Sequence, residues 1–188
     1  MKRVLLLLVS GLLCCGPVWA GEKDDAVQAC RQVVAEFSQL LQAELQSAMQ
    51  QGGPAQAISV CRVKAPQIAV ELTTKYNTYV RRTSLKPRNI RNTPVCWEEQ
   101  VLNGFEHSHK QGVPVEDLES SAIVPADGDR ELHYMKAIPT KPVCLVCHGD
   151  NIAPDVARQL HKLYPDDQAL GFKVGDIRGA FSLRMPLD

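Results

Sequence analysis

The segment 139–150, PTKPVCLVCHGD, carries Cys144, Cys147 and His148 in the spacing C-x-x-C-H. Two thiols three residues apart in a turn can bond to the two vinyl groups of one porphyrin, and the histidine that follows can bind its iron. This spacing is the attachment signature of a c-type haem. The sequence therefore predicts one covalently bound haem c, attached through both cysteines, with His148 as the proximal iron ligand.

A zinc site, a redox dithiol and a simple disulfide also use closely spaced cysteines. A structural zinc site would need a second pair of Cys or His ligands at short spacing, and the sequence has no such pair. A thioredoxin-like dithiol would need a strand–helix–strand frame around it, which the local pattern does not predict. Haem attachment is therefore the favoured interpretation of the motif.

The second axial ligand of the iron is not fixed by spacing. Methionines at helical or strand positions are more typical of a core, and histidines in polar segments are more typical of a surface. Cys61, on an apolar helix face, could be an iron ligand, a buried structural thiol or a disulfide partner. The full set of candidates is Cys61, Met49, Met135, Met185, His107, His109, His133 and His161.

The cysteine count bears on the same question. The chain has seven cysteines; two lie at positions 14–15, in the N-terminal leader described next, and two belong to the C-x-x-C-H motif. Cys30, Cys61 and Cys96 remain. In an oxidising compartment two of the three are expected to pair. A Cys30–Cys96 disulfide is a reasonable pairing, which would leave Cys61 for another role.

The N-terminus has the order of a secretory signal peptide. Lys2 and Arg3 form a basic head, residues 4–13 are mainly apolar, and small residues lead to Ala20. The apolar run is shorter than the roughly 20 residues that span a bilayer. We therefore expect residues 1–20 to be a signal peptide, and the mature chain to be periplasmic without a membrane span.

The remaining residues, 21–188, have the length of one domain. Over the full chain Lys plus Arg and Asp plus Glu number 21 each, and removal of Lys2 and Arg3 with the leader would leave a formal net charge of 19 − 21 = −2. The chain has no basic stripe, and we expect no nucleic-acid partner. Only 5% of the residues are aromatic, and a haem would add a large apolar surface to such a core.

Helical periodicity dominates the first part of the chain. Apolar residues recur at three- and four-residue steps over 26–49, which predicts a long amphipathic helix ending at the glycine pair 52–53. Pro54 can open a second helix, which carries Cys61. Pro66 has no N–H for the carbonyl four residues before it, so we expect the helix to kink or loosen just after Cys61.

Shorter elements follow. The patterns predict a strand over 78–83, a helix over 95–110, a strand over 132–138, a helix over 154–163 and a strand over 176–186. Residues 177, 179, 181, 183 and 185 are expected on one side of the last strand. Helices first and strands later indicate an α+β domain.

Four longer segments provide sequence evidence beyond the C-x-x-C-H motif. They are AISVCRVKAP (57–66), VRRTSLKPRNIRN (80–92), HYMKAIPTKPVCLVCHG (133–149) and LYPDDQALGFKVGDIRGAFSLRMPL (163–187). In this order they resemble a family of exported c-type haem domains of the cyanobacterial His/Cys-ligated type. The resemblance implies a PAS-like fold, with a central antiparallel sheet flanked by helices and a long N-terminal helix.

The resemblance also implies the second iron ligand. In that family the cysteine of the A-I-x-x-C-x-x-x-A-P motif lies opposite the C-x-x-C-H histidine, and this position is Cys61. Many members are sensor modules fused to a membrane span and a signalling domain, neither of which this sequence has.

The other motif residues have a physical interpretation. Arg81, Arg82 and Arg88 could hold the carboxylates of haem propionates, although a solvated basic loop is the alternative. Tyr134 and Met135, close before the haem loop, are expected to line the pocket.

A Cys61 thiolate opposite the His148 imidazole would fill both axial positions and favour ferric iron, which lowers the potential, whereas methionine would raise it. We expect a low-potential cytochrome, not an enzyme, that transfers electrons or responds to redox state through an unknown redox partner or periplasmic signalling partner. The alternative is a haem-based gas or redox sensor in which Cys61 leaves the iron on reduction.

Overall fold

The computed structural model describes residues 18–126 and 128–187, with side chains from residue 21 onward. Residues 1–17 of the expected signal peptide lie outside the described part. Within the described ranges, no helix combines the length and apolar character needed to cross a bilayer.

The first element, α1, spans Val18–Tyr76. Gly52 and Gly53 interrupt it, because Gly53 has a φ of 69°, in the region that favours glycine. This confirms the predicted break and divides α1 into a first segment and a second segment. The loosening expected near Pro66 is wrong, since the described backbone stays helical there. Pro66 and Arg62, whose carbonyl loses its partner, are both exposed, so water can satisfy that carbonyl.

Four strands form one sheet in the order β1-β4-β3-β2, with every neighbouring pair antiparallel. The expected central antiparallel sheet is therefore confirmed. The sequence pattern predicted three of the strands and missed β2. The bounds of the four observed strands are β1 Tyr79–Thr83, β2 Glu119–Ala126, β3 Asp129–Pro139 and β4 Ile177–Leu187.

The described chain has three more α-helices: α2 Cys96–Lys110, α3 Leu145–His148 and α4 Pro154–Leu163. Short 3-10 turns occur at Ile90–Asn92, Val115–Asp117 and Pro142–Cys144. The long N-terminal helix and the mixed α+β class are confirmed; the narrower description as PAS-like stays a prediction.

Each face of the sheet buries its own core. On one face, α1 packs against alternate residues of β3 and β4: Cys30, Val33, Phe37 and Leu72 of α1 meet Leu132, Tyr134, Phe181 and Leu183. On the other face, α2 packs against the residues between them: Leu102 and Phe105 meet Met135, Ala137, Ile177 and Ala180. This alternation is the period-2 geometry of a strand covered on both sides.

A third cluster holds the second segment of α1 against α4. Ile58 packs with Val156, Leu160 and Tyr164, and the half-buried Cys147 lies against the same group. Ile58 is three residues before Cys61, so this packing fixes the part of α1 that carries Cys61 close to the C-x-x-C-H loop.

The register between β3 and β4 shifts between Ile138 and Pro139. Because of this irregularity Ile177 packs on the α2 face, whereas Phe181 packs on the α1 face. The expectation that residues 177 and 181 share one side is therefore wrong. Gly179 lies at this point with a φ of 152°, and a Cβ there would be 2.4 Å from the carbonyl oxygen of Thr83.

Candidate functional site

The C-x-x-C-H motif lies on a tight double turn. The 3-10 turn ending at Cys144 runs directly into the short helix α3, which ends at His148. The backbone N–H of Lys141 donates to the sulfur of Cys144 at 3.3 Å. Both cysteines and His148 are half-buried, so the three donor side chains lie together at the boundary between the interior and solvent.

The imidazole of His148 is fixed through one nitrogen. Its Nδ1 atom lies 2.9 Å from the carbonyl oxygen of Ala169, which can only accept, so Nδ1 carries the proton. Burial lowers the pKa of His148 to about 2, with the positive charges of Arg178 and Arg88 adding to the effect. The ring is therefore neutral and carries its lone pair on Nε2, the tautomer of a histidine that binds a metal through Nε2. In the described chain this lone pair accepts a hydrogen bond from Nε of Arg178 at 3.4 Å.

Arg88 connects this loop to the segment after α4. Its Nε donates to Asp167 Oδ2 at 2.9 Å, and its Nη2 donates to the carbonyl oxygens of Cys147 and Ala169. The side chains of Arg88 and Asp167 are only 11% and 8% exposed. Arg88 therefore fixes the position of Cys147 and of the carbonyl that orients His148.

Cys61 approaches the same cluster from α1. Burial raises its pKa, while the charges of Arg82, Arg88 and Arg178 act in the opposite direction. Burial is the main cause of the raised pKa of Cys147, and an electrostatic interaction with Cys61 also raises it. The thiol predicted from the A-I-x-x-C motif thus lies within electrostatic range of the haem-attachment cysteine and of the arginines around His148.

Two more arginines complete the cluster. The guanidinium of Arg82 lies 5.7 Å from the ring centre of Phe37. Arg178 places its Nε 3.4 Å from Nε2 of His148 and its Nη1 3.3 Å from Ser84 Oγ. The sequence did not predict Arg178, because it lies in a segment that was interpreted only as an alternating strand.

The structure does not bring every predicted side chain to this cluster. Arg81 donates to the carbonyl oxygens of Arg91 and Thr93 and lies 3.8 Å from Glu98 at the start of α2. Tyr134 is buried in the α1-face core and donates to Glu119 at 2.9 Å. Met135 is buried in the α2-face core. Each of these contacts gives the residue a structural partner away from His148.

The other axial candidates lie in different surroundings. His133 contacts Glu131, and its ring centre lies 4.3 Å from that of Trp97. Met185 packs against the α1-face core, His161 is exposed, and Met49 is half-buried in the first segment of α1. His107 and His109 lie in the last turn of α2. In residues 18–126 and 128–187, no group of three or more His, Cys, Asp or Glu side chains could hold a bare metal ion.

The structure does not form the Cys30–Cys96 disulfide, since both cysteines are free. Cys30 is fully buried in the α1-face core, and Cys96 is exposed at the start of α2. The two thiols therefore lie on elements that pack on opposite faces of the sheet. Burial raises the pKa of Cys30 to about 12, which keeps it a protonated, unreactive thiol.

Together the fold and the cluster define a small α+β domain in which a thiol and a neutral imidazole converge among arginines. The family profile described as Tll0287-like matches residues 22–186, and the chain belongs to the Tll0287-like family. It is also similar to the crystal structure of the cyanobacterial heme-protein Tll0287, with a TM-score of 0.60 and 27% identity over 92% of this chain and 97% of that one. No curated protein matches the sequence.

Proposed function

We propose that the chain is an exported c-type haem protein, with Cys144 and Cys147 as the covalent attachment points and His148 and Cys61 as the iron ligands. Its role is electron transfer or a redox response. The observation that carries the proposal is that Cys61, from α1, lies in the same arginine-rich cluster as Cys147 and the neutral His148. The relation to a cyanobacterial heme-protein supports it.

The donor set fits a haem. Two thiols on consecutive turns, an imidazole whose Nδ1–H donates to Ala169 and whose lone pair is on Nε2, and a thiol from another element are the groups that a His/Cys-ligated haem c requires. When bound, the haem supplies a one-electron couple. The chain's own residues orient the imidazole, supply the opposing sulfur and limit the access of water, since His148, Cys61 and Cys147 are only partly exposed.

The proposal is tested by covalent attachment. We expect the full chain, coexpressed with a haem-attachment system, to keep its colour after denaturation and acid–acetone extraction. Cys147→Ala should leave at most one thioether, seen as a shifted pyridine haemochrome band, and Cys96→Ala is the matched control because Cys96 is exposed and outside the cluster. Colourless, porphyrin-free wild-type protein would contradict the proposal.

The alternative role is a gas or redox sensor. One structural feature favours it: Cys61 belongs to α1, whereas His148 belongs to the loop that carries the covalent links. The thiol can therefore leave the iron without loss of the cofactor. Rapid binding of carbon monoxide by the reduced protein would support the sensor, and an unchanged reduced spectrum would support the electron carrier.

The location and partners belong to the same proposal. A periplasmic protein of this kind would act on a separate redox or signalling partner rather than as an enzyme. Fractionation of cells that express the full chain tests the location, and recovery of the haem protein in the cytoplasm would contradict it.

A further inference from the structure

The three arginines of the cluster carry more positive charge than the described residues around them neutralise. Arg82, Arg88 and Arg178 all lie within electrostatic range of His148, and Arg82 and Arg88 lie within electrostatic range of Arg178. Asp167 is the carboxylate that faces them, and it is paired with Arg88. In the described part of the chain, the cluster therefore has an excess of two positive charges.

Arg88 is paired with one carboxylate and two carbonyl oxygens of the protein. Its Nε is used by Asp167, and its Nη2 is used by the carbonyl oxygens of Cys147 and Ala169. These contacts hold the Arg88 side chain in position whether or not a ligand binds. Arg88 is therefore the positioning residue of the loop, and the excess charge belongs to the other two arginines.

Arg82 and Arg178 have weaker partners. Within the described ranges neither forms an ion pair with a carboxylate; Arg82 lies over Phe37, and Arg178 contacts Ser84, His148 and the ring of Phe172. Both side chains are half-buried. Cations removed from water without a counter-ion are costly and are normally paired or used in binding.

We propose that Arg178, together with Arg82, binds the two carboxylates of the haem propionates. This inference rests on the proposed function and deepens it. The two uncompensated cations match the two negative charges of the ligand, and a guanidinium can hold a carboxylate through two parallel hydrogen bonds. Arg178 thus takes the place that the sequence motif assigned to Arg81, whose donors are used by the Arg91–Thr93 loop.

The test compares protohaem with its dimethyl ester, in which both carboxylates are blocked. Binding is made reversible in a Cys144→Ala/Cys147→Ala chain, and the two dissociation constants are measured by absorbance titration. We expect the ester to bind roughly tenfold or more weakly than protohaem, since hydrogen bonds to charged groups are involved. Adding Arg178→Gln should remove most of that preference, and Arg82→Gln should also reduce it.

Controls separate charge from folding. Arg184→Gln changes an exposed arginine of the same strand and should leave the preference unchanged. Arg178→Lys keeps the charge and should keep part of the preference, which provides a readout if the glutamine variant fails to fold. If protohaem binds more tightly than its dimethyl ester by the same factor with and without Arg178, the inference is overturned. Wild-type protein that carries covalent haem would at the same time uphold the proposed function.

Discussion

The Nδ1 atom of His148 lies 2.9 Å from the carbonyl oxygen of Ala169. Ala169 is fully buried, and the side chain of Asp167 accepts a hydrogen bond from its N–H at 2.8 Å. Arg88 binds both Asp167 and the Ala169 carbonyl. The orientation of the imidazole therefore depends on a residue pair that lies outside the C-x-x-C-H motif.

Arg88→Gln should destabilise the protein and loosen the histidine. The change leaves Asp167 buried without its partner, a situation that costs about 3–5 kcal/mol when a buried pair is broken. We expect a lower midpoint in chemical denaturation and a heterogeneous ferric spectrum of the haem protein. Arg158→Gln, at an exposed position on α4, is the control. Equal stability of Arg88→Gln and wild type would show that the contacts of Arg88 are not needed.

Cys61→Ser should keep the covalent haem and change its electronic state. A hydroxyl donates less charge to ferric iron than a thiolate, so the potential should rise. Electron paramagnetic resonance and spectroelectrochemistry measure the two effects, with Cys30→Ser as a comparison because Cys30 is buried in the α1-face core. An unchanged ferric spectrum would remove Cys61 as the ligand.

Protonation of Glu119 should lower the free energy of unfolding as the pH falls into the acid range. Hydrogen bonds from Arg31 and from Tyr134 hold the pKa of Glu119 below its usual value. A carboxyl whose pKa is lowered in the folded state stabilises the fold fully above the unfolded pKa, and this contribution disappears as the pH falls through the folded pKa. Because the pair is partly exposed, we expect Glu119→Gln to cost about 1 kcal/mol near neutral pH and nearly nothing in strong acid.

Unfolding curves at pH 7 and at successively lower pH measure this difference. Glu71→Gln, which changes an exposed carboxylate on α1, should leave the dependence unchanged. A stability gap between Glu119→Gln and wild type that stays constant down to pH 2 would contradict the assignment.

Gly179→Ala should disturb both the sheet and the site. The added Cβ would lie 2.4 Å from the carbonyl oxygen of Thr83, and the φ of 152° is unfavourable for alanine. Strain of this kind costs about 1–3 kcal/mol. We expect a lower melting temperature, and weaker binding of the haem propionates by the adjacent Arg178. Gly104→Ala, on the exposed side of α2 with open space around it, should be neutral or stabilising.

The elements with strong local signals were predictable from the sequence. The glycine break in α1 and the helices α2 and α4 follow from spacing and from Gly and Pro. The strand β2 was not predictable, because Glu119–Ala126 contains two serines and a proline and all its described positions are exposed or only partly buried. Its place at the sheet edge is decided by pairing with β3, which is a non-local interaction.

The site residues also fall into two groups, those that the sequence predicts and those that only the three-dimensional structure reveals. Spacing gave the C-x-x-C-H residues, and the family resemblance gave Cys61. The separation of Arg81 from Arg82 depends on which face of β1 each occupies, and the place of Arg178 depends on the register shift at Ile138 and Pro139. Neither feature is encoded by the residue's own neighbours, so both required the three-dimensional arrangement.

The position of β4 between β1 and β3 has a consequence for biogenesis. The central strand β4 follows Cys61, both attachment thiols and His148 along the chain, so a polypeptide that stops before β4 would retain all of these residues but could not join β1 to β3. Every ligand would be translated before the scaffold could close around it. Assembly of the pocket must therefore wait for the synthesis of β4, which couples haem retention to the closing of the sheet.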